Sequence, residues 1–250
     1  MHRYFLEVAY KGTNYSGFQI QNNGNTIQAE VEKALAVLLR QKLSLTGSSR
    51  TDAGVHALQN FFHLDTDILI TEKNRYNINS ILPADITLKA IYQTHQNAHC
   101  RFDAVSREYK YFIYLEKNPF LTQTAYYYPF KLDFKLLQEA AEIVEAHTDF
   151  TSFSKRNIQV KTFNCNISQS VWLQQNDCMV YNVTANRFLR GMVRGLVATM
   201  LKVARGVITL DELKLILESK NAQNADFSAP PHGLFLMKVN YPAGLLHRLK

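Results

Sequence analysis

Cysteine is scarce in this 250-residue chain, and it follows no pattern. Cys100, Cys165 and Cys178 are odd in number and widely spaced, and no CxxC pair occurs. That argues against a disulfide framework and against a zinc site encoded by spacing, and it fits a reduced, cytoplasmic setting. Long apolar runs are missing too: no stretch reaches the ~18 uninterrupted apolar residues of a membrane span. The first strand-like run already carries Arg3 and Glu7, so the N-terminus reads as part of the fold and not as a signal peptide. A serine or cysteine nucleophile pattern and a metal-ligand cluster are also lacking, which leaves a hydrolase little to work with.

What is present describes a folded globular chain. Apolar residues make up 46% and charged residues 20%, enough for one large core or two smaller ones. A net charge of +7 suits an anionic partner such as RNA without requiring one.

One polar, turn-like stretch, Gly47 to Leu58, stands out. It follows an amphipathic segment and precedes an aromatic one. It holds one carboxylate, Asp52, between Arg50-Thr51 and Ala53-Gly54. Such a carboxylate can be aimed at a substrate by the rigid elements beside it, or it can simply bond its own backbone in a tight turn.

Along the chain, residues 3–10 alternate as a half-buried strand. Thr26 reads as an N-cap for a helix whose apolar face is Ile27, Val31, Ala34, Leu35, Leu38 and Leu39. Gln59 to Thr66 reads as an aromatic strand in which His63 serves structure. A short helix is expected over 74–82, and a strand over 86–92. Cys100 beside His99 is too small a donor set for a metal. Arg101 suits a phosphate contact or a domain-joining salt bridge. A boundary near residue 104 separates two halves, 1–104 and 105–250.

The second half opens with an Arg107-to-Leu115 strand that carries Tyr109, Tyr111 and Tyr114. Asp133 caps a helix through Val144. Lys155, Arg156 and Lys161 interleave with Phe150, Phe153 and Phe163, as a loop touching single-stranded RNA would, and as a solvated loop can. A hairpin over 163–185 follows. Phe188, Met192, Leu196, Met200 and Val203 then keep helical spacing, which puts Arg187, Arg190 and Arg194 together on another face. Three stacked like charges invite an anionic partner or face water. Thr209 to Glu212 is a capping box, and the last strand is expected from Leu234 to Tyr241.

Arg50-Thr51-Asp52-Ala53-Gly54-Val55-His56-Ala57 resembles the signature of the tRNA pseudouridine synthase A family. Similar runs recur at Asn79-x-x-Leu82-Pro83-x-Asp85-Ile86, at Arg107-x-Tyr109-x-Tyr111, at Phe188-x-x-x-Met192-Val193-Arg194 and at Ala229-Pro230-x-x-Gly233-Leu234-x-Leu236. Ser49, Phe18 and Cys100 stand where the family usually has glycine, tryptophan and alanine. Near Val160-Lys161-Thr162 the family has a serine-arginine-threonine run.

The resemblance implies an α+β fold: two ferredoxin-like (RRM-like) subdomains with antiparallel sheets meeting at a central active-site cleft. It implies isomerisation of uridine to pseudouridine at positions 38, 39 and 40 of the tRNA anticodon stem-loop, by a homodimer. In that reading Asp52 is the nucleophile, Arg194 pairs with it, and Tyr109 stacks on the flipped base and serves a proton transfer. Arg50, Arg101, Lys161, Arg187, Arg190 and Leu234 contact the RNA. The reaction breaks the C1′–N1 bond and rejoins the base through C5. It involves no redox change and no energy input, so no cofactor and no metal are expected. A non-catalytic tRNA-binding protein of the same fold is the alternative; a hydrolase using Asp52 and His56 is more remote.

Overall fold

The structure, a computed structural model, describes residues 1–22, 24–155 and 161–249. Arg156, and Val160 of the Lys161 run, lie outside the described residues. The first elements are β1 (His2–Tyr10), α1 (Ile27–Leu39), β2 (Thr46–Gly47), β3 (His56–Thr66), α2 (Glu72–Ile81) and β4 (Ile86–Thr94). Then come β5 (Ser106–Tyr114), β6 (Tyr126–Tyr127), α3 (Phe134–Glu145), β7 (Ile167–Gln175) and β8 (Cys178–Ala185). The last are α4 (Met192–Ala204), α5 (Leu210–Glu218), β9 (Leu234–Asn240) and β10 (His247–Arg248). Helices and mainly antiparallel strands in this order make an α+β protein. Two compact units divide it: Met1–Val105 with Leu236–Lys250, and Ser106–Phe235. The boundary falls inside β9, so the strand from Leu236 on, and β10, group with the first unit and not with the half they follow in sequence.

In the first unit β1 pairs antiparallel with both β3 and β4, and β2 pairs with β3. A central strand needs cover on both sides, and β1 is buried on both. Tyr4, Phe5, Leu6 and Val8 are all 0% exposed, which corrects the half-buried expectation. Phe5 packs edge-on against Tyr241, 5.6 Å between centroids. Glu7, buried on the same face, accepts hydrogen bonds from the Tyr92 hydroxyl at 2.6 Å and Gln59 Nε2 at 3.1 Å. Those donors offset the cost of burying a carboxylate. Helix α1 starts where expected: the Thr26 side chain accepts from Ala29 N–H, a cap worth about 1 kcal/mol. Asn79 on α2 clasps Leu88 of β4 with its amide, donating to the carbonyl at 2.9 Å and accepting from the N–H at 2.8 Å.

In the second unit β8 lies between β5 and β7, antiparallel to both. Helix α3 has its Asp133 cap, which accepts from the Lys135 and Leu136 N–H groups. Gln138 on α3 clasps Trp172 of β7 as Asn79 clasps Leu88, at 2.8 and 3.1 Å. Helix α5 carries the capping box that begins at Thr209. Helix α4 is buried along nearly its whole length, and it packs on α3 and α5. It begins only at Met192, so Arg187 and Arg190 precede it and do not share a helical face with Arg194. The cause is Gly191, whose φ of 75° ends any helical run before it. Among the described residues no helix is long and apolar enough to cross a membrane.

Candidate active site

The Asp52 turn is held from three directions within the first unit. From beneath, Asn60 on β3, fully buried, donates to Ser49 O at 2.8 Å and to the Tyr10 hydroxyl at 3.1 Å. Tyr10 in turn bonds the Thr51 hydroxyl at 2.8 Å. From the side, the opening loop 11–18 lies along the turn. Phe18 N–H donates to Thr51 O at 3.1 Å, Gly54 N–H to Tyr15 O at 3.4 Å, and Gly12 N–H to His56 Nδ1 at 3.0 Å. The approach is too close for side chains: a Cβ on Gly12 would sit 2.0 Å from Val55 O. Gly17 has φ +108°, and a Cβ there would meet Thr51 O at 3.0 Å. At the far end, Gly54 takes φ 78° and Val55 N–H closes onto Asp52 O at 3.2 Å.

Asp85 anchors the loop itself. It accepts a short hydrogen bond from the Tyr15 hydroxyl and one from Asn14 at 3.4 Å, while its carbonyl takes Lys11 N–H at 2.9 Å. Burial and the Asp85 carboxylate push the Tyr15 phenol well above its ordinary range.

On this frame Asp52 is half-buried and Arg50 exposed. Ser49 is buried with negative φ, so serine meets no conformational penalty where the family usually has glycine. Phe18 stacks on Phe62 at 4.4 Å and 8°. Its ring fills the space beside Gly47, where a Cβ would lie 2.4 Å away. His56 is 1% exposed and its Nδ1 accepts from the Gly12 N–H, which makes it a clamp for the loop.

Arg101 is exposed on the turn after β4, its guanidinium 5.6 Å from the Phe102 ring centroid. Behind that turn, burial, then the charges of Arg3 and His99, push His63 down to about 4.

In the second unit, Tyr109 on β5 is 8% exposed and meets the Phe188 ring edge-on at 5.0 Å. Arg194, in the first turn of α4, donates from Nε to Ala229 O at 2.6 Å. The next residue of that segment, Pro230, takes the Tyr111 hydroxyl on its carbonyl at 2.8 Å. Gly233 lies so near β5 that a Cβ would stand 2.8 Å from the Tyr111 ring. These contacts lay Ala229 to Leu234 across β5 and place Arg194, Tyr111 and the buried Leu234 around one short segment. Arg187 is half-buried, and Arg190 and Lys161 are exposed. Arg190 O accepts Lys155 N–H at 3.1 Å, and the Lys155 stem packs over Gly191. Gly195 gives room instead to Phe227 and Phe153.

A family model described as tRNA pseudouridine synthase matches residues 7–103 and 140–242. The chain belongs to the tRNA pseudouridine synthase family. It is 43% identical over 251 residues to a tRNA pseudouridine synthase A of Parabacteroides distasonis, covering 98% of each chain. A protein of that name from Bacteroides thetaiotaomicron is 42% identical over 246 residues, covering 97% of this chain and 91% of its own. One from Staphylococcus aureus is 37% identical over 240 residues, covering 95% and 91%. In the first unit Tyr10 and Asn60 hold the Asp52 turn, a part the sequence alone did not give them; in the second unit Phe188 packs on Tyr109 and Ala229 accepts from Arg194, where the sequence showed them as motif positions.

Proposed function

We propose that this chain isomerises uridine to pseudouridine in the anticodon stem-loop of tRNA, at positions 38, 39 and 40, with Asp52 as nucleophile. The observation that carries the assignment is the Asp52 turn: a carboxylate set on a backbone that side-chain and main-chain hydrogen bonds hold on both flanks. A reacting group gains most when its geometry is set before substrate arrives. Arg194 serves as the partner of the Asp52 carboxylate. Tyr109 supplies an aromatic face for a base taken out of its stack, and its hydroxyl serves a proton transfer. The Phe188 edge against Tyr109 fixes that ring, and Leu234 gives the base an apolar wall.

Arg50, Arg101, Lys161, Arg187 and Arg190 contact the RNA, where exposed guanidinium and ammonium groups suit phosphates. The chemistry moves one glycosidic bond from N1 to C5 and exchanges protons, with no net oxidation, so the reading calls for no cofactor. It also includes a homodimer whose tRNA crosses both subunits, and a cytoplasmic setting that keeps three buried thiols reduced.

Each unit is read as a ferredoxin-like subdomain. The first supports this with the connectivity β1-α1-β2-β3-α2-β4 and the spatial order β4-β1-β3-β2. The second supports it with β8 between β5 and β7 and helix α3 crossing from β5 to β7.

The test is incubation of an unmodified tRNA anticodon stem-loop with the full chain, followed by mapping of pseudouridine at each uridine. Conversion confined to positions 38–40 is expected. Tight binding with no conversion at any of them would replace the isomerase by a tRNA-binding protein of the same fold.

A further inference from the structure

The turn that carries Arg101 contains a cluster the isomerisation does not use. One nitrogen of His63, one of His99 and the Cys100 Sγ all lie within 4.8 Å of one another. His63 and Cys100 are buried and His99 half-buried. The sequence shows only a histidine beside a cysteine here; the fold adds His63 from β3.

Hydrogen bonds identify which ring nitrogens hold lone pairs. His63 Nδ1 accepts from Cys100 N–H at 3.2 Å. His99 Nδ1 accepts from Arg101 N–H at 3.2 Å and Phe102 N–H at 3.4 Å. A backbone N–H only donates, so Nδ1 is the bare nitrogen of each ring. Each of those lone pairs is engaged by backbone N–H groups of the turn that carries the thiol, so a cation has to displace those bonds. The rings hold each other in place: His63 meets His99 edge-on at 4.7 Å, Phe5 stacks on His63 at 5.9 Å, and Phe102 lies 4.2 Å from His99.

We propose that His63, His99 and Cys100 bind a zinc-class divalent cation through one ring nitrogen of each histidine and the Cys100 Sγ, with a water in the fourth position. Two imidazoles and a thiolate are a donor set for zinc, whereas magnesium and calcium take oxygen ligands. A tetrahedral zinc with nitrogen at ~2.0–2.1 Å and sulfur at ~2.3 Å holds its ligand atoms roughly 3.3–3.7 Å apart, so the clustered donor atoms, within 4.8 Å of one another, close by at most about 1.5 Å. On binding, the Cys100 thiol gives up its proton to solvent and its bond to Thr46 O, now 3.1 Å. The long N–H contacts to the two rings are exchanged for metal bonds, and Phe102 N–H keeps its bond to His99 O at 3.1 Å. Carboxylates stand next to the cluster: Asp103 Oδ2 accepts His99 N–H at 2.7 Å, and Asp65 pairs with Arg3 at 2.5 Å. The bound ion ties the Arg101 turn to β3. The proposal does not depend on the isomerase reading.

Cobalt(II) reports such a site directly, because a cobalt–thiolate bond gives a near-ultraviolet charge-transfer band. Titration of the full chain is expected to give that band, saturating at one cobalt and bleached by zinc. A Cys165→Ala/Cys178→Ala double variant should keep it. Cys100→Ala should lose it, and His99→Gln should weaken cobalt binding at least about tenfold. His99→Gln, at the less buried position, carries the test should Cys100→Ala fail to fold. A wild-type titration without the band, a band that survives Cys100→Ala, or unchanged affinity in His99→Gln overturns the site.

Discussion

The Asp52 turn and the arginine run from Arg187 to Arg194 are built in opposite ways. The turn is gripped through its backbone: Ser49 O, Thr51 O and Gly54 N–H are all engaged, and glycines at 12 and 17 let a second loop lie directly on it. The run leaves β8 without regular structure, turns once at Gly191 and becomes helix only at Met192. One region spends many interactions on fixing a single carboxylate. The other leaves Arg190 exposed and Arg187 half-buried. The contrast fits the proposed roles, a nucleophile for Asp52 and phosphate contacts for the arginines, since reach and charge matter more than exact placement at a phosphate backbone.

Substitutions can break or sharpen this contrast. Asn60→Ala should have the largest effect among residues that touch no substrate. It unties Ser49 and Tyr10 together, and a misplacement near 1 Å costs roughly a hundredfold in turnover. Single-turnover rates should fall while tRNA affinity stays, and a matched loss in both would reduce Asn60 to a fold-holding role. Tyr109→Phe is expected to keep binding and slow turnover by about tenfold or more, as loss of a proton-transfer group does; unchanged turnover would leave the ring only a stacking platform. Gly191→Ala forces a side chain into the left-handed region at a cost of about 1–2 kcal/mol, and thermal unfolding should register it. No loss of stability would mean the turn can relax.

Weaker effects belong to the run itself. Arg187→Ala and Arg190→Ala should each lower tRNA affinity and reduce the salt slope by about one, without changing single-turnover rate at saturation. An unaltered slope would remove these arginines from the RNA contact.

The smallest effect is electrostatic. The Thr151 hydroxyl, then the Lys220 ammonium and the Thr151 N–H, hold Asp149 down to about 2. A depressed carboxylate stabilises the fold above its unfolded value near ~3.9, and that contribution fades as pH falls towards 2. The stability gap between wild type and Asp149→Asn, read by denaturant unfolding, should therefore shrink from about pH 4 to pH 2. A gap constant over that range would contradict the pairing.

Local signals read well from the sequence and distant ones did not. Thr26, Asp133 and the Thr209 capping box mark helices because a cap and its partners lie within three residues. Apolar spacing ran on unbroken through Gly191, so Phe188 and Met192 suggested a helix that a positive φ forbids. Alternation made β1 look half-buried because its second face is covered by Tyr241, from the far end of the chain. The Asp52 motif was visible as residues. Its hold was not, since Tyr10, Gly12 and Phe18 come from β1 and the loop after it. The Asn79 and Asp85 positions of a second motif were equally opaque until one proved to clasp β4 and the other to anchor that loop.

The central claim is that Asp52 performs the chemistry and does not merely shape a turn. Asp52→Ala and wild type should be compared on one unmodified anticodon stem-loop, with binding and pseudouridine formation measured separately. The account predicts equal binding and a loss of turnover on the order of 10³-fold or more. Pseudouridine formed by the variant at a rate near wild type would contradict it.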